Sequence, residues 1–154
     1  MKTMKNFLSS SLIIILAFNI VGTCLGQSKS YDLKRGLLRG STMLIPGISG
    51  GLHEVIQHRY PNFKKRFPKA NDRFWNPEVS WEEKYKDPYP GSRMFPVFTD
   101  AYHLTNAINS VGLIGSSIFI TIGEKRPWWH YAIDFGIGFA FYGMGTNATY
   151  EFFK

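Results

Sequence analysis

Cysteine is almost absent from this chain of 154 residues, in which Cys24 is the only one. A single thiol cannot close an intramolecular disulfide, so the chain is not a small secreted domain held together by disulfides. A zinc site built from several thiolates is excluded for the same reason. The fold has to be stabilised without either of these supports.

Formal charge is missing from most of the last third of the chain. Residues 101–123 contain no Asp, Glu, Lys or Arg, and between residues 127 and 150 only Asp134 is charged. Each of these stretches is long enough to cross the hydrocarbon of a bilayer. The short run 124–126 between them is charged throughout. We therefore predict membrane-spanning helices over residues 101–123 and 127–150.

The first 26 residues have the pattern of a targeting segment. Lys2 and Lys5 precede an apolar run that ends in mostly small residues at positions 22–26. This order is typical of a cleavable signal peptide, while the length of the uncharged run also fits a retained anchor. We predict a signal peptide or an N-terminal anchor over residues 1–26. Cleavage would leave a mature chain without cysteine, as expected for a protein of the bacterial cell envelope.

Glycines recur at a helical spacing in the segment that follows. Gly36, Gly40, Gly47 and Gly51 are four, seven and four residues apart, which places them on one helix face. A neighbouring helix can approach such a face closely in a membrane. Pro46 next to Gly47 leaves a glycine-rich loop as the alternative. We predict a helix over residues 36–57, so that the fold is all-α: a small multi-pass membrane bundle of three mature helices, in one domain over residues 27–154.

The centre of the chain, residues 59–97, is polar, basic and rich in proline and aromatic residues. Residues 59–93 hold nine Lys or Arg against five Asp or Glu. Proline opposes long helices, so we predict a polar loop that caps the bundle, with one short helix near residues 80–86 whose N-cap is Ser80. The basic residues expected to face lipid head groups at the membrane surface are Lys64, Lys65, Arg66 and Lys69.

Aromatic residues interleaved with basic ones also occur in proteins that bind single-stranded nucleic acid. In an exported chain with spanning helices, a contact with the membrane surface is the better interpretation. The expected partners are therefore membrane lipids, with a protein partner as a further candidate, and no nucleic acid.

Two histidine–carboxylate pairs flank the central loop at helical spacing. They are Glu54 with His58 and Asp100 with His103. Because both pairs border the same loop, all four side chains are predicted to meet at one membrane face. Imidazole and carboxylate together suit a divalent metal such as zinc, manganese or non-haem iron. The simpler interpretation is helix-end chemistry, with Asp100 as an N-cap and Glu54 paired locally with His58.

A third pair, His130 and Asp134, lies inside the last apolar stretch. Ionisable groups at membrane depth are costly and often functional. The predicted partners of Asp134 are His130, one turn earlier, and Arg39 on the first helix. A structural ion pair and a proton relay both remain open.

Several short patterns occur together in the mature chain: F-W-N-P at residues 74–77, S-W at 80–81, K-Y at 84–85, F-P at 95–96 and T-D-A-Y-H-L at 99–104. In this combination the chain resembles a group of small uncharacterised bacterial integral membrane proteins. The resemblance implies a membrane location and no mechanism.

No motif in the sequence fixes a reaction. The expected function is that of a structural or accessory membrane protein with a basic aromatic surface at the lipid head groups. One alternative is a metal-assisted enzyme that acts on a lipid or its head group through Glu54, His58, Asp100 and His103. The other is a soluble exported domain whose C-terminal apolar stretches form a core.

Overall fold

A computed structural model describes residues 30–83 and 95–154. Every regular element in these two ranges is a helix, which confirms the predicted all-α class. The predicted signal peptide or anchor over residues 1–26 lies outside the described residues, and so does the 84–94 part of the central segment.

The described chain forms seven α-helices and two short 3₁₀ turns. In order they are α1 (Leu33–Gly40), a 3₁₀ turn (Ser41–Met43), α2 (Leu44–His58), α3 (Tyr60–Arg66), α4 (Asp72–Trp75), α5 (Pro77–Glu83), a second 3₁₀ turn (Pro96–Phe98), α6 (Ala101–Thr121) and α7 (Trp128–Phe152). The predicted helix over residues 36–57 thus corresponds to α1, the first 3₁₀ turn and α2. Pro46 lies in the first turn of α2, where a helix tolerates proline.

Helix α2 packs against both long helices, whereas α6 and α7 contact each other much less. Its glycine face lies directly on the backbone of α7. A Cβ atom added to Gly51 would lie 2.7 Å from the carbonyl oxygen of Thr146, and one added to Gly145 would lie 2.6 Å from that of Leu44. Both helices therefore need glycine where they cross, as the spacing of the glycines indicates.

The bundle buries several polar side chains beside apolar ones such as Met43 and Ile120, and it exposes large apolar side chains on its long helices. Ser49, Thr105, Ser116 and Asp134 are buried. Large apolar side chains on the long helices are exposed instead: Ile45, Ile48, Ile108, Val111, Ile114, Ile118, Phe139 and Met144.

One helix in the described ranges, α6, is both long and apolar enough to cross a membrane by length and composition. Helix α7 is longer, with 25 residues, but does not meet that standard of composition. The structure therefore supports an all-α bundle with one such helix, fewer than the three spans that the sequence predicts.

The described part of the segment 59–97, predicted as a loop with one short helix near residues 80–86, contains three short helices and the start of a 3₁₀ turn. Its prolines do not prevent these helices, because Pro61, Pro77 and Pro96 occupy the first turn of an element. Ser80 is not an N-cap: it is buried inside α5, where its hydroxyl donates to the carbonyl of Pro77. We call residues 59–83 the polar cap.

The polar cap is attached to the bundle by a small apolar core. Val55 of α2, Phe63 of α3 and Phe153 just after α7 are buried together. The Phe63 ring lies 4.9 Å from that of Trp75 and 5.5 Å from that of Phe153, measured between centroids. The polar cap therefore covers the end of the bundle where α2 and α7 end.

Candidate functional site

The two histidine–carboxylate pairs beside the polar cap are local contacts at helix ends. Asp100 is the N-cap of α6: its carboxylate accepts from the backbone N–H of His103 at 2.8 Å and lies 2.8 Å from Nδ1 of the same residue. His58 Nε2 lies 3.6 Å from Glu54 Oε2, and both side chains are more than half exposed. This is the simpler of the two interpretations that the sequence left open.

The described residues contain no group of three or more His, Cys, Asp or Glu side chains that could hold a metal ion. The predicted four-residue site is therefore not assembled. The reason is the rotation of about 100° between neighbouring residues of a helix. Glu54 and His58 are exposed, whereas His53, one residue earlier, contacts α6.

His53 is the histidine that joins α2 to α6. Its Nδ1 atom lies 3.2 Å from the carbonyl oxygen of Tyr102 and 3.3 Å from the hydroxyl of Thr105. Ser49, one turn earlier, donates to the carbonyl of Thr105 at 2.8 Å. The four-residue spacing of Ser49 and His53 was the signal in the sequence that could have identified this polar face.

A buried ion pair closes the opposite end of the bundle. Arg126 Nη1 donates to Asp134 Oδ2 at 2.7 Å, and the two side chains are 9% and 0% exposed. Arg126 Nη2 and Arg39 Nη1 also donate to the carbonyl oxygen of Ile120, at 2.9 and 2.7 Å. Arg126 is a partner of Asp134 that the sequence did not predict, and Arg39, one of the two predicted partners, binds the end of α6.

These contacts stabilise the last carbonyls of α6, which no helical N–H can reach. Burial by itself lowers the pKa of Arg126, but the hydrogen bond to Asp134 and the charge of its carboxylate outweigh burial and raise the pKa. The guanidinium therefore stays charged. The chain can turn here because Gly123 adopts a φ of 113°.

Lys64 links two segments of the polar cap through a partly exposed ion pair. Its ammonium group donates to Asp72 at 2.8 Å and to the carbonyl of Ala70 at 2.6 Å. The hydroxyl of Tyr60 donates to the same carboxylate. The hydrogen bond from Lys64, followed by that from Tyr60, lowers the pKa of Asp72, while burial and the Asp72 hydrogen bond raise the pKa of Tyr60.

Acid is expected to loosen the polar cap through Asp72. Because the pKa of this carboxyl is lowered in the folded chain, its stabilising effect is present above the ordinary pKa of 3.8 and disappears as the pH falls through the lower folded pKa. In Asp72→Asn we expect less protection from hydrogen exchange over residues 60–75 at pH 7, relative to the intrinsic rate at that pH, and a much smaller further loss of protection on acidification. Hydrogen exchange followed by mass spectrometry measures both effects.

The matched control for that experiment is Glu78→Gln, which removes an exposed carboxylate from the same polar cap. It should exchange like the wild type at pH 7 and respond to acid in the same way. An acid response that Asp72→Asn retains in full would contradict the role given to Asp72.

The other three basic residues predicted to face head groups, Lys65, Arg66 and Lys69, are exposed. The guanidinium of Arg66 lies 4.5 Å from the centre of the Phe152 ring. Of the four predicted residues, Lys64 alone is engaged inside the polar cap. Three cations therefore lie on the surface of the polar cap.

A cavity of about 880 Å³ lies between α2, the polar cap and the end of α7. Its wall is apolar over most of its area and includes Ile48, Leu52, Phe63, Phe67, Trp75 and Phe152. Arg66 and Lys69 contribute the basic part of the lining. Sequence patterns did not reveal it, because its wall comes from segments as far apart as residues 48 and 153.

No protein-family model, curated protein or solved structure matches this chain. The resemblance carried by residues 74–104 therefore stays a prediction. The contacts and surfaces described above are what a functional proposal can be built on.

Proposed function

We propose that this chain is a multi-pass membrane protein of the bacterial cell envelope with a structural or accessory role, whose polar cap contacts anionic lipid at the membrane surface. The observation that supports this most is the set of large apolar side chains exposed on the long helices, among them Val111, Ile114 and Phe139. In hydrocarbon these side chains would lie against lipid tails, whereas in water they would face solvent. Ser49 and Asp134 are buried inside the bundle, away from either surrounding.

The lengths of the helices agree with this proposal. Helix α6 has 21 residues and α7 has 25. At 1.5 Å per residue they are roughly 32 and 38 Å long, against a hydrocarbon thickness of about 30 Å. The residues that make α7 less apolar, such as Asp134, Gly138 and Gly145, are buried. Part of its lower hydropathy therefore comes from residues that lipid would not touch, whereas Asn147 and Glu151 are exposed.

The position of the polar cap supports the lipid contact. The polar cap covers one end of the bundle. It would therefore lie at head-group level when the exposed apolar side chains of the long helices are in the hydrocarbon. Exposed Lys65, Arg66 and Lys69 are close together in the sequence there. Each basic residue near an anionic membrane surface contributes about 1 kcal/mol of attraction.

A membrane location predicts a large effect of Ile114→Arg. Ile114 is 63% exposed near the middle of α6. In a bilayer, arginine at that depth costs about 3 kcal/mol for insertion, so we expect much less protein in the membrane fraction. On a soluble domain the same surface substitution changes stability by about 0.5 kcal/mol or less.

The measurement is carbonate extraction of membranes, followed by quantification of the chain in pellet and supernatant. The wild type should remain in the pellet, and Lys125→Gln, which alters an exposed charge in the turn between α6 and α7, should behave in the same way. Release of the wild type into the supernatant, together with normal folding of Ile114→Arg, would favour the soluble exported domain.

A further inference from the structure

We propose that the cavity between α2, the polar cap and α7 binds one acyl chain of an anionic phospholipid, with the phosphate held by Arg66 and Lys69. This rests on the proposed function and names the ligand class of the same surface. The proposal is based on an apolar cavity of about 880 Å³ whose lining includes two cations.

The wall suits a flexible hydrocarbon chain. Binding cavities for small molecules have volumes of about 300–1,000 Å³, and this one falls in that range. Phe63, Phe67, Trp75 and Phe152 supply aromatic surface, and Leu52 and Ile48 of α2 supply aliphatic surface. A chain in the cavity would therefore exchange one apolar environment for another, with close packing against rigid rings.

The cavity is also open to the outside of the fold through exposed apolar side chains. Ile48 is 44% exposed, Phe67 46% and Phe152 52%. These three residues line the cavity and are exposed on the outside of the described fold. A lipid tail lying along α2 could therefore enter from the hydrocarbon without passing through water.

The charge of the cavity lining selects the head group. Arg66 and Lys69 line it, and the lining residues in the described ranges include no Asp or Glu. The nearby carboxylate of Asp72 is paired with Lys64, so it neutralises that lysine and not the two cations of the lining. Stacking on the Phe152 ring positions the guanidinium of Arg66, whose in-plane N–H groups match the oxygens of a phosphate.

The experiment uses the full chain in nanodiscs with brominated lipids, because bromine on an acyl chain quenches a tryptophan that it touches. Trp75 lines the cavity. The fluorescence of Trp75 is obtained by subtracting the fluorescence of Trp75→Phe from that of the wild type. We expect brominated phosphatidylglycerol to quench Trp75 at roughly tenfold lower mole fraction than brominated phosphatidylcholine.

Two variants with opposite expectations locate the effect. The double variant Arg66→Gln/Lys69→Gln should lose the preference for phosphatidylglycerol, whereas Lys65→Gln should keep it, since Lys65 is exposed on the same helix but does not line the cavity. Ala148→Phe, which adds a ring to the lining, should reduce quenching by both lipids. All four positions are exposed, so folding is expected to persist, and circular dichroism verifies it.

Equal quenching by both lipids, unchanged in the double variant, would overturn the head-group assignment. Absence of Trp75 quenching by either lipid would overturn the proposal altogether and indicate that protein covers the cavity. Because the experiment is made on chains already embedded in nanodiscs, either failure leaves the membrane assignment standing. That assignment fails separately, by release of the chain in carbonate.

Discussion

Gly47→Ala is expected to destabilise the bundle by about 3 kcal/mol, which would make it one of the most damaging single-methyl additions in the chain. A Cβ atom at Gly47 would lie within 2.9 Å of the Tyr142 carbonyl carbon of α7, in contact with backbone and not with a movable side chain. Gly145 on the opposing helix meets the carbonyl of Leu44 in the same crossing. Neither backbone can yield without separating α2 from α7.

The matched control is Gly143→Ala on the same helix as Gly145, where an added Cβ meets nothing within 4 Å. That change should be neutral or stabilise the protein by up to about 1 kcal/mol, because alanine favours a helix more than glycine does. Unfolding by a denaturing detergent, followed by circular dichroism, compares the two variants. Similar stabilities would mean that α2 and α7 are not in contact at Gly47.

The second large effect is expected at the buried ion pair. Asp134→Asn leaves the Arg126 guanidinium buried beside a neutral amide, and removing one member of such a pair costs about 3–5 kcal/mol. The double variant Arg126→Met/Asp134→Leu removes both charges and should recover most of that loss. Arg39 continues to donate to the carbonyl of Ile120 in the double variant, so the end of α6 keeps one of its two guanidinium donors.

A double-mutant cycle measures this coupling in the same detergent unfolding assay. Lys125→Gln, at the neighbouring exposed position, should change stability by about 0.5 kcal/mol or less. If the losses from Arg126→Met and Asp134→Leu simply added in the double variant, the ion pair would not be what closes this end of the bundle.

The features that sequence predicted well depend on long-range patterns along one element. The absence of charge over residues 101–123 and the spacing of Gly47 and Gly51 indicated helices and a close helical contact, both of which the structure contains. Such patterns average over many residues, so an error at one position does not change the interpretation.

The features that sequence predicted poorly depend on a single residue or on tertiary contacts. Proline content suggested a loop in residues 59–97, because composition does not reveal that Pro61 and Pro77 start helices. His58 was predicted to meet Asp100 and His103, whereas His53 is the histidine of α2 that contacts α6, a difference in the rotation of one helix. The partner of Asp134 is Arg126, which lies in the turn before α7. This turn depends on the positive φ of Gly123, so helical periodicity in the sequence does not predict it.

The arrangement of the three long segments also sets an order for biosynthesis. Because α6 and α7 are joined by a short turn yet each packs chiefly on α2, the hairpin that they form depends on α2 for most of its packing. The glycine face of α2 stays without its partner until α7 has been synthesised. Helix α2 is therefore the surface on which the later two helices assemble, and a nascent chain that stops before α7 would offer that face to chaperones and proteases.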